Sequence, residues 1–185
     1  MNNEHATELA TLGGGCFWCL EAAFVQLAGV ASVVSGYAGG SKETANYKAV
    51  CTGLTGHAES VRITFDPKKV AYEKLLEIHF ATHDPTTLNR QGNDTGTQYR
   101  SAIFYANDEQ KQLVEAFVAD LRDSKHFKKP IVTSIEPLTE FYPAEDYHQN
   151  YAVCHPDQGY IQLIAMPKVE KVREKFKANL KPEAK

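Results

Sequence analysis

A glycine run followed by two cysteines stands near the start of the chain. The segment reads Gly13-Gly14-Gly15-Cys16-Phe17-Trp18-Cys19 and lies between a predicted strand and a predicted helix. Glycines let the backbone turn sharply and leave its amides open, which places Cys16 in the first helical turn. The open amides and the positive end of the helix dipole favour a thiolate, so the pattern predicts a nucleophilic Cys16 with a lowered pKa. Cys19 is close enough to capture an oxidised Cys16 as a disulfide, and the alternative is two small core cysteines.

A carboxylate beside a second glycine loop is the next candidate. Glu59, in the segment CTGLTGHAES, opens a strand that continues through Val61, Ile63 and Phe65. An acidic residue at the mouth of a strand could be a buried general acid with a raised pKa, while the alternative is a solvated strand end. His57 in the same loop is more typical of a hydrogen-bonded loop histidine than of a catalyst.

A long polar stretch from His83 to Thr97 follows, in the sequence HDPTTLNRQGNDTGTQYR. A polar loop of this length inside a compact domain is unusual unless it carries function. It offers Asp94 and, just beyond it, Tyr99 as polar side chains for a site. A surface loop held by Asx turns is the structural alternative.

The elements that must position these residues follow from hydrophobic periodicity. Apolar residues at steps of three and four predict helices, and alternating or β-branched runs predict strands. The predicted strands run from Thr7 to Leu12, from Val30 to Tyr37, through Val61–Phe65, from Ser101 to Tyr105 and through Ile131, Thr133 and Ile135. The predicted helices begin near Phe17, before Leu75 and at the cap Asn107-Asp108. The order predicts an α+β, ferredoxin-like (split βαβ) plait with helices on one face of a mainly antiparallel sheet.

Length and composition limit the classes of protein that this chain can be. Its 185 residues predict a single domain, 1–185, in which residues 166–185 form an amphipathic helix that then frays. With 43% apolar residues, 23% charged residues and a net charge of −3, nothing indicates disorder, nucleic-acid binding or an anionic membrane partner. The longest uncharged window, from Ala22 to Ser41, is too polar to span a bilayer, and the start lacks the pattern of a signal peptide. Four cysteines in such a chain favour thiols kept for chemistry in the cytoplasm.

Three of these segments together resemble a known family. GCFWC, GHAE and HDPTTLNRQGNDTGTQYRSAIFY, in this order, closely resemble the A-type peptide methionine sulfoxide reductases, and EDYHQNY with PDQGY extends the resemblance to about residue 165. The resemblance implies reduction of the S epimer of methionine sulfoxide, free or in proteins, with thioredoxin as the reductant. It implies no cofactor and no metal.

The resemblance also implies a role for each motif residue. Cys16 is the nucleophile and Glu59 the acid that protonates the sulfoxide oxygen. Phe17 and Trp18 form the pocket for the S-methyl group, Tyr47 and Tyr99 supply hydroxyls to the oxygen, and Asp94 organises the substrate. A sulfoxide has a partly positive sulfur and a basic oxygen, so it requires a soft nucleophile, an acid and oxygen-directed donors.

The thiol that resolves the oxidised nucleophile departs from the family pattern. Many members carry that cysteine directly after a Gly-Tyr pair, whereas here Gly159-Tyr160 is followed by Ile161. Cys19 and Cys154 are both candidates, and Cys51 is predicted to be structural. We favour Cys19 because closing a short loop costs the least entropy.

Two other classes are compatible with the cysteines alone. A thioredoxin-like dithiol oxidoreductase would use Cys16 and Cys19 as its CxxC motif, which would leave the GHAE and GND loops without a role. A zinc-stabilised binding module would take Cys16, Cys19, Cys154 and His155 as ligands, but an adjacent Cys-His pair has poor geometry for zinc.

Overall fold

A six-stranded mixed sheet organises the chain, which a computed structural model describes over residues 6–184. The strands are β1 (Glu8–Gly13), β2 (Val30–Ala38), β3 (Ala58–Phe65), β6 (Ala102–Tyr105), β7 (Ser134–Pro137) and β8 (Phe141–Pro143), with a separate hairpin of β4 (Arg90–Gln91) and β5 (Asp94–Thr95). The order in the sheet is β7-β6-β1-β3-β2-β8. The pairs are antiparallel except β6 with β7, which is parallel, so the sheet is mixed.

Within residues 6–184, four longer α-helices and two single-turn α-helices accompany the sheet. They are α1 (Phe17–Phe24), α2 (Tyr47–Val50), α3 (Tyr72–Thr82), α4 (Asp108–Asp123), α5 (Tyr151–Cys154) and α6 (Met166–Lys175). The predicted cap of α4 is confirmed, since the Asn107 side chain accepts a hydrogen bond from the Gln110 amide at 2.9 Å. A π-helix over Ile161–Ala165 leads directly into α6. Within residues 6–184, no helix is both long and apolar enough to cross a bilayer.

Two apolar clusters hold these elements together. The larger cluster joins alternate strand residues to the apolar faces of the helices, and includes Leu12, Val61, Ile63, Leu20, Phe24, Leu75, Val114 and Val172. The smaller cluster consists of Ala38, Ala58, Ala102, Phe104 and Phe141, all from strands. Successive side chains of a strand point to opposite faces. In β3 four consecutive residues, Ala58 to Val61, are all buried, so both faces of the strand are covered there and the Glu59 side chain lies inside the molecule.

One predicted strand is wrong at its start. The alternation through Ile131, Thr133 and Ile135 predicts a strand over all five positions, but β7 begins only at Ser134. Ile131 and Thr133 are buried for other reasons: the Thr133 hydroxyl lies 2.7 Å from the Ser101 hydroxyl, and Ile131 belongs to the larger apolar cluster. Burial therefore produced the alternating pattern without strand pairing.

The C-terminal tail is also different from the prediction. Beyond α6 the chain does not fray but continues to pack, and Leu180 is only 3% exposed. The Ala28 amide donates to the Asn179 carbonyl at 2.7 Å, and the Lys181 amide donates to the Gln26 carbonyl at 2.9 Å. These bonds attach the tail to the turn that follows α1.

The long polar loop contains structure that the composition did not reveal. The β4–β5 hairpin turns through Gly92, which has φ +59°, and places Asp94 at the start of its second strand. Short hairpins of this kind depend on a residue that tolerates positive φ.

Candidate active site

The glycine run brings the backbone close to its neighbours and so sets the position of Cys16. Gly15 has φ +88°, and a Cβ atom there would lie 2.6 Å from the Gln91 Cγ atom. Its amide donates to the Tyr99 carbonyl at 3.2 Å. A Cβ atom at Gly14 would lie 2.9 Å from His79. Only glycine fits at these positions, and Cys16 follows as the N-cap residue of α1.

Glu59 is a buried carboxyl group tied to the same helix start. It is 2% exposed, and its Oε2 atom accepts a hydrogen bond from the Phe17 amide at 3.0 Å. Burial raises the pKa of Glu59 to about 8, although the Phe17 amide acts in the opposite direction. The group is therefore protonated at neutral pH and can donate a proton.

One small pocket collects the predicted residues. It has a volume of about 170 Å³ and is lined by Cys16, Phe17, Trp18, Tyr47, Glu59, Asp94, Tyr99 and Tyr160. Every residue predicted to act on the substrate thus lies on one cavity, although the residues come from widely separated segments of the chain. Tyr160 also lines the pocket, and no role for it follows from the motifs.

An aromatic wall fixes one side of the pocket. The Trp18 ring stacks on Tyr151 with centroids 3.7 Å apart, and its Nε1 donates to His148 Nδ1 at 3.1 Å. Phe17 is buried, with its ring centroid 5.0 Å from that of His148. Apolar walls of this kind suit a methyl group. The segment EDYHQNY supplies His148 and Tyr151, whose roles cannot be read from the motif alone because they depend on how the chain returns to α1.

Two tyrosines and an aspartate provide polar atoms around the pocket. Tyr47 begins α2, where its amide donates to Glu145 Oε2 at 3.1 Å. Burial raises the pKa of both Tyr47 and Tyr99, so their hydroxyl groups stay protonated and can donate. Asp94 accepts a hydrogen bond from the Tyr160 hydroxyl at 2.5 Å.

The protonation of Cys16 differs from the prediction. Burial raises the pKa of the Cys16 thiol well above its usual range, with further contributions from a hydrogen bond to Cys19 and the nearby Glu59. The Trp18 amide at the start of the helix favours a thiolate, but burial outweighs it, because a buried charge loses its hydration. Cys16 is therefore a neutral thiol that shares the pocket with a neutral carboxyl group.

The other cysteines divide into one buried and two exposed thiols. All four cysteines are free; Cys19 is fully buried, whereas Cys51 and Cys154 are exposed. A hydrogen bond from Cys16 lowers the pKa of Cys19, and the charge of Lys168 and a hydrogen bond from Tyr160 act in the same direction. Cys154 ends α5, the short helix that contributes Tyr151.

The zinc alternative has no cluster to support it. Cys16 and Cys19 are buried, while Cys154 and His155 are exposed. In the part of the chain that the structure covers, residues 6–184, no three metal-binding side chains converge. His57 is a hydrogen-bonded loop histidine, as predicted: it accepts from the Gly40 amide at 3.1 Å and contacts the Ser41 carbonyl at 2.8 Å.

The fold and the pocket define a thiol-dependent oxidoreductase on an α+β frame. A family model described as peptide methionine sulfoxide reductase matches residues 8–180. The chain is 57% identical over 176 residues to the peptide methionine sulfoxide reductase MsrA of Polynucleobacter asymbioticus, covering 95% of this chain and 93% of that one.

Solved structures agree with this match. The reduced form of Mxr1 from Saccharomyces cerevisiae is 34% identical, with a TM-score of 0.75 over 85% of this chain and 91% of that one. Mxr1 in complex with Trx2 matches with 25% identity and a TM-score of 0.54 over 82% of this chain and 89% of that one. The chain belongs to the peptide methionine sulfoxide reductase family and is an oxidoreductase. This assignment replaces the dithiol oxidoreductase and zinc-module alternatives.

Proposed function

We propose that this enzyme reduces the S epimer of methionine sulfoxide, free or in proteins, at the pocket that Cys16 and Glu59 share. The observation that carries the proposal is a protonated carboxyl group and a thiol on one aromatic-walled cavity of about 170 Å³. A sulfoxide presents a methyl group, an electrophilic sulfur and a basic oxygen. The cavity offers a matching partner for each of the three.

In the reductive step the Cys16 sulfur attacks the sulfoxide sulfur while Glu59 gives its proton to the oxygen. The thiol proton of Cys16 passes to Glu59, so that the carboxyl group is restored. The oxygen ends on Cys16 as a sulfenic acid and methionine is released: Cys16–SH and R₂S=O give Cys16–SOH and R₂S. The sulfoxide gains two electrons and the thiol loses them.

The remaining pocket residues orient the substrate. Phe17 and Trp18 enclose the S-methyl group, and the position of the indole ring is set by its contacts with His148 and Tyr151. The Tyr47 and Tyr99 hydroxyls donate to the sulfoxide oxygen, where negative charge develops as the bond to sulfur weakens. Asp94, whose carboxylate faces the pocket, organises the rest of the substrate.

Recycling requires a second thiol and an external reductant. Cys19 condenses with the sulfenic acid, forming the Cys16–Cys19 disulfide and releasing water. Thioredoxin then reduces the disulfide, in keeping with the thioredoxin complex of the yeast relative. Cys154 is the alternative partner for Cys16; it would require α5 to move, because its thiol is exposed on the surface.

Resolved methionine sulfoxide epimers, with dithiothreitol as the reductant, test the proposal directly. We expect consumption of the S epimer alone, and a complete loss of turnover in Cys16→Ser because a hydroxyl is an inadequate nucleophile here. Cys154→Ser makes the same chemical change at an exposed thiol that does not line the pocket, and it serves as the matched control because dithiothreitol supplies the reducing thiol. A folded Cys16→Ser enzyme that retains activity, or consumption of the R epimer instead, would contradict the mechanism.

We also propose a single ferredoxin-like domain that works in the cytoplasm. The central strand order β6-β1-β3-β2, with antiparallel pairing, is that of a split βαβ plait, to which β7 and β8 add an edge strand each. The apolar residues of the helices join one cluster, which supports helices on one face of the sheet. Four free thiols favour a reducing compartment.

A further inference from the structure

The Tyr160 hydroxyl lies between a buried thiol and a carboxylate. It is 4.0 Å from the Cys19 Sγ atom, a long hydrogen bond of the kind that sulfur makes, and 2.5 Å from Asp94 Oδ2. Cys19 belongs to α1, Asp94 to the β4–β5 hairpin and Tyr160 to the C-terminal segment. One phenol therefore connects three parts of the chain that are far apart in sequence.

The segment that carries Tyr160 is held firmly in place. Ile161, the next residue, is fully buried, and the π-helix over 161–165 continues into α6. The Tyr160 ring meets Trp18 edge-on, with centroids 6.0 Å apart. π-helical turns are rare and frequently occur at functional sites. Ile161 stands where many family members have a cysteine. The residue before it, Tyr160, nevertheless contacts the thiol of Cys19.

We propose that Tyr160 is a catalytic residue of the recycling half-reaction, which holds the Cys19 thiol near Cys16 and relays its proton to Asp94. This inference rests on the proposed function, in which Cys19 resolves the sulfenic acid. Tyr160 accepts a hydrogen bond from the neutral thiol and donates one to the thiolate. Its hydroxyl can do both because it rotates between Asp94 and Cys19.

The step balances with the groups that are present. The Cys19 Sγ–H proton moves to the Tyr160 oxygen as the Tyr160 proton moves to the Asp94 carboxylate. The Cys19 sulfur attacks the Cys16 sulfur, the S–S bond forms and the Cys16 S–O bond breaks. Glu59 protonates the departing hydroxyl group to give water, and solvent returns the proton from Asp94 to Glu59. The sum is Cys19–SH plus Cys16–SOH giving the disulfide plus water.

A single-turnover experiment with Tyr160→Phe separates the two half-reactions. One equivalent of methionine sulfoxide is mixed with reduced enzyme without reductant, and samples quenched in acid are analysed for released methionine and for the disulfide by peptide mapping. We expect the ratio of the disulfide-forming rate constant to the methionine-releasing rate constant to fall at least about tenfold, as for loss of a hydrogen bond to a charged group. The pH profile of disulfide formation should also move to higher pH, because the thiolate of Cys19 loses a donor.

Tyr72→Phe is the matched control. It removes a buried hydroxyl that contacts no partner within residues 6–184 and that lies outside the pocket, so the ratio should keep its wild-type value. A Tyr160→Phe enzyme in which both steps slow equally, or in which the ratio and the pH profile stay unchanged, would show that Tyr160 has only a packing role. Peptide mapping of the wild-type enzyme distinguishes failure of the proposed function: a Cys16–Cys154 link there would refute Cys19 as the resolving thiol, and the role of Tyr160 with it.

Discussion

At the scale of single residues, the site places two buried acids in their neutral forms on one pocket. Glu59 and Cys16 line one pocket, and burial raises the pKa of each. Two adjacent anions would repel one another, whereas two neutral acids can exchange protons with a bound sulfoxide at little electrostatic cost. The protonation of Glu59 and Cys16 is therefore the first property to test.

Glu59→Gln removes the transferable proton and keeps the shape of the side chain. We expect the reductive step to slow by about 10²–10⁴-fold, the usual range for general acid catalysis. In the proposed mechanism that step requires protonated Glu59, so the wild-type rate should be level below pH 8 and decline above it, in line with the pKa of about 8. Single-turnover release of methionine between pH 6 and 10 measures both effects.

The matched control for this carboxylate is Glu140→Gln, at an exposed position that does not line the pocket. Its rate and pH profile should match those of the wild-type enzyme. If the reductive step of Glu59→Gln is as fast as that of the wild type, Glu59 is not the acid, and it is only a buried strand residue that stabilises the start of the helix.

At the scale of elements, hydrophobic periodicity predicted the main strands and helices well. Polar and apolar residues alternate along β3 from Ser60 to Phe65. The apolar positions of α3 and α4 recur at helical spacing because each helix has one face toward the core. The β4–β5 hairpin escaped prediction since two-residue strands leave no periodic signal. The predicted start of β7 was wrong. Residues 131 and 133 are buried in an alternating pattern, but they precede the strand, which begins at Ser134.

The C-terminal tail offers a test of packing beyond α6. Leu180 is 3% exposed and forms a bridge with Leu27 across the turn after α1. Leu180→Ala should lower the free energy of unfolding by about 2–5 kcal/mol, the usual cost of truncating a buried leucine. Urea denaturation measures the change.

Leu54→Ala makes the same truncation at a side chain that is 88% exposed. It should alter the free energy of unfolding by less than about 0.5 kcal/mol. If Leu180→Ala costs no more than Leu54→Ala, the tail contributes nothing to stability and the predicted fraying is correct after all.

At the scale of the whole molecule, the site assembles from segments that meet only in the folded chain. Motifs identified Cys16, Glu59 and Asp94 because each stands in a distinctive local sequence. Tyr160 and His148 were not assigned roles, since their contacts depend on the return of the C-terminal segment to α1. The Gly159-Tyr160 pair was the sequence signal for Tyr160. Its contact with Cys19 becomes visible only in the folded chain.

A pair of buried histidines behind the glycine run links stability to pH. The His79 and His83 rings lie 4.1 Å apart, and His83 contacts the His79 carbonyl at 2.6 Å and the Ser101 hydroxyl at 2.7 Å. Burial lowers the pKa of both, that of His83 to about 4. The unfolded chain takes up protons below about pH 6.5 while the folded chain resists them, so this contribution to stability is present above pH 6.5 and lost toward pH 4.

The expected loss from His83 is about 3 kcal/mol between pH 6.5 and 4, at about 1.4 kcal/mol per pH unit. Glu59 acts in the opposite direction because its raised pKa makes the folded chain hold a proton that the unfolded chain releases. The contribution of His83 is therefore measured as a difference between two proteins. Urea denaturation gives the free energy of unfolding of the wild type and of His83→Gln at pH 7 and at pH 4.5, and the change with pH is compared between them. The variant should lose less stability on acidification than the wild type.

His126→Gln makes the same change at an exposed position and should follow the wild-type pH dependence. Parallel losses of stability in wild type and His83→Gln would mean that His83 carries a proton in the folded chain at pH 4.5, contrary to its burial.

The raised pKa of Cys16 has a consequence for when the enzyme must work. Methionine is oxidised when peroxide is abundant, and a permanently ionised thiol would itself be a target for that peroxide. In the proposed mechanism, burial keeps Cys16 as a neutral thiol until a sulfoxide with an oxygen able to take a proton binds beside it. The same neutral form should make the thiol slow to react with peroxide, since the thiolate is the reactive form.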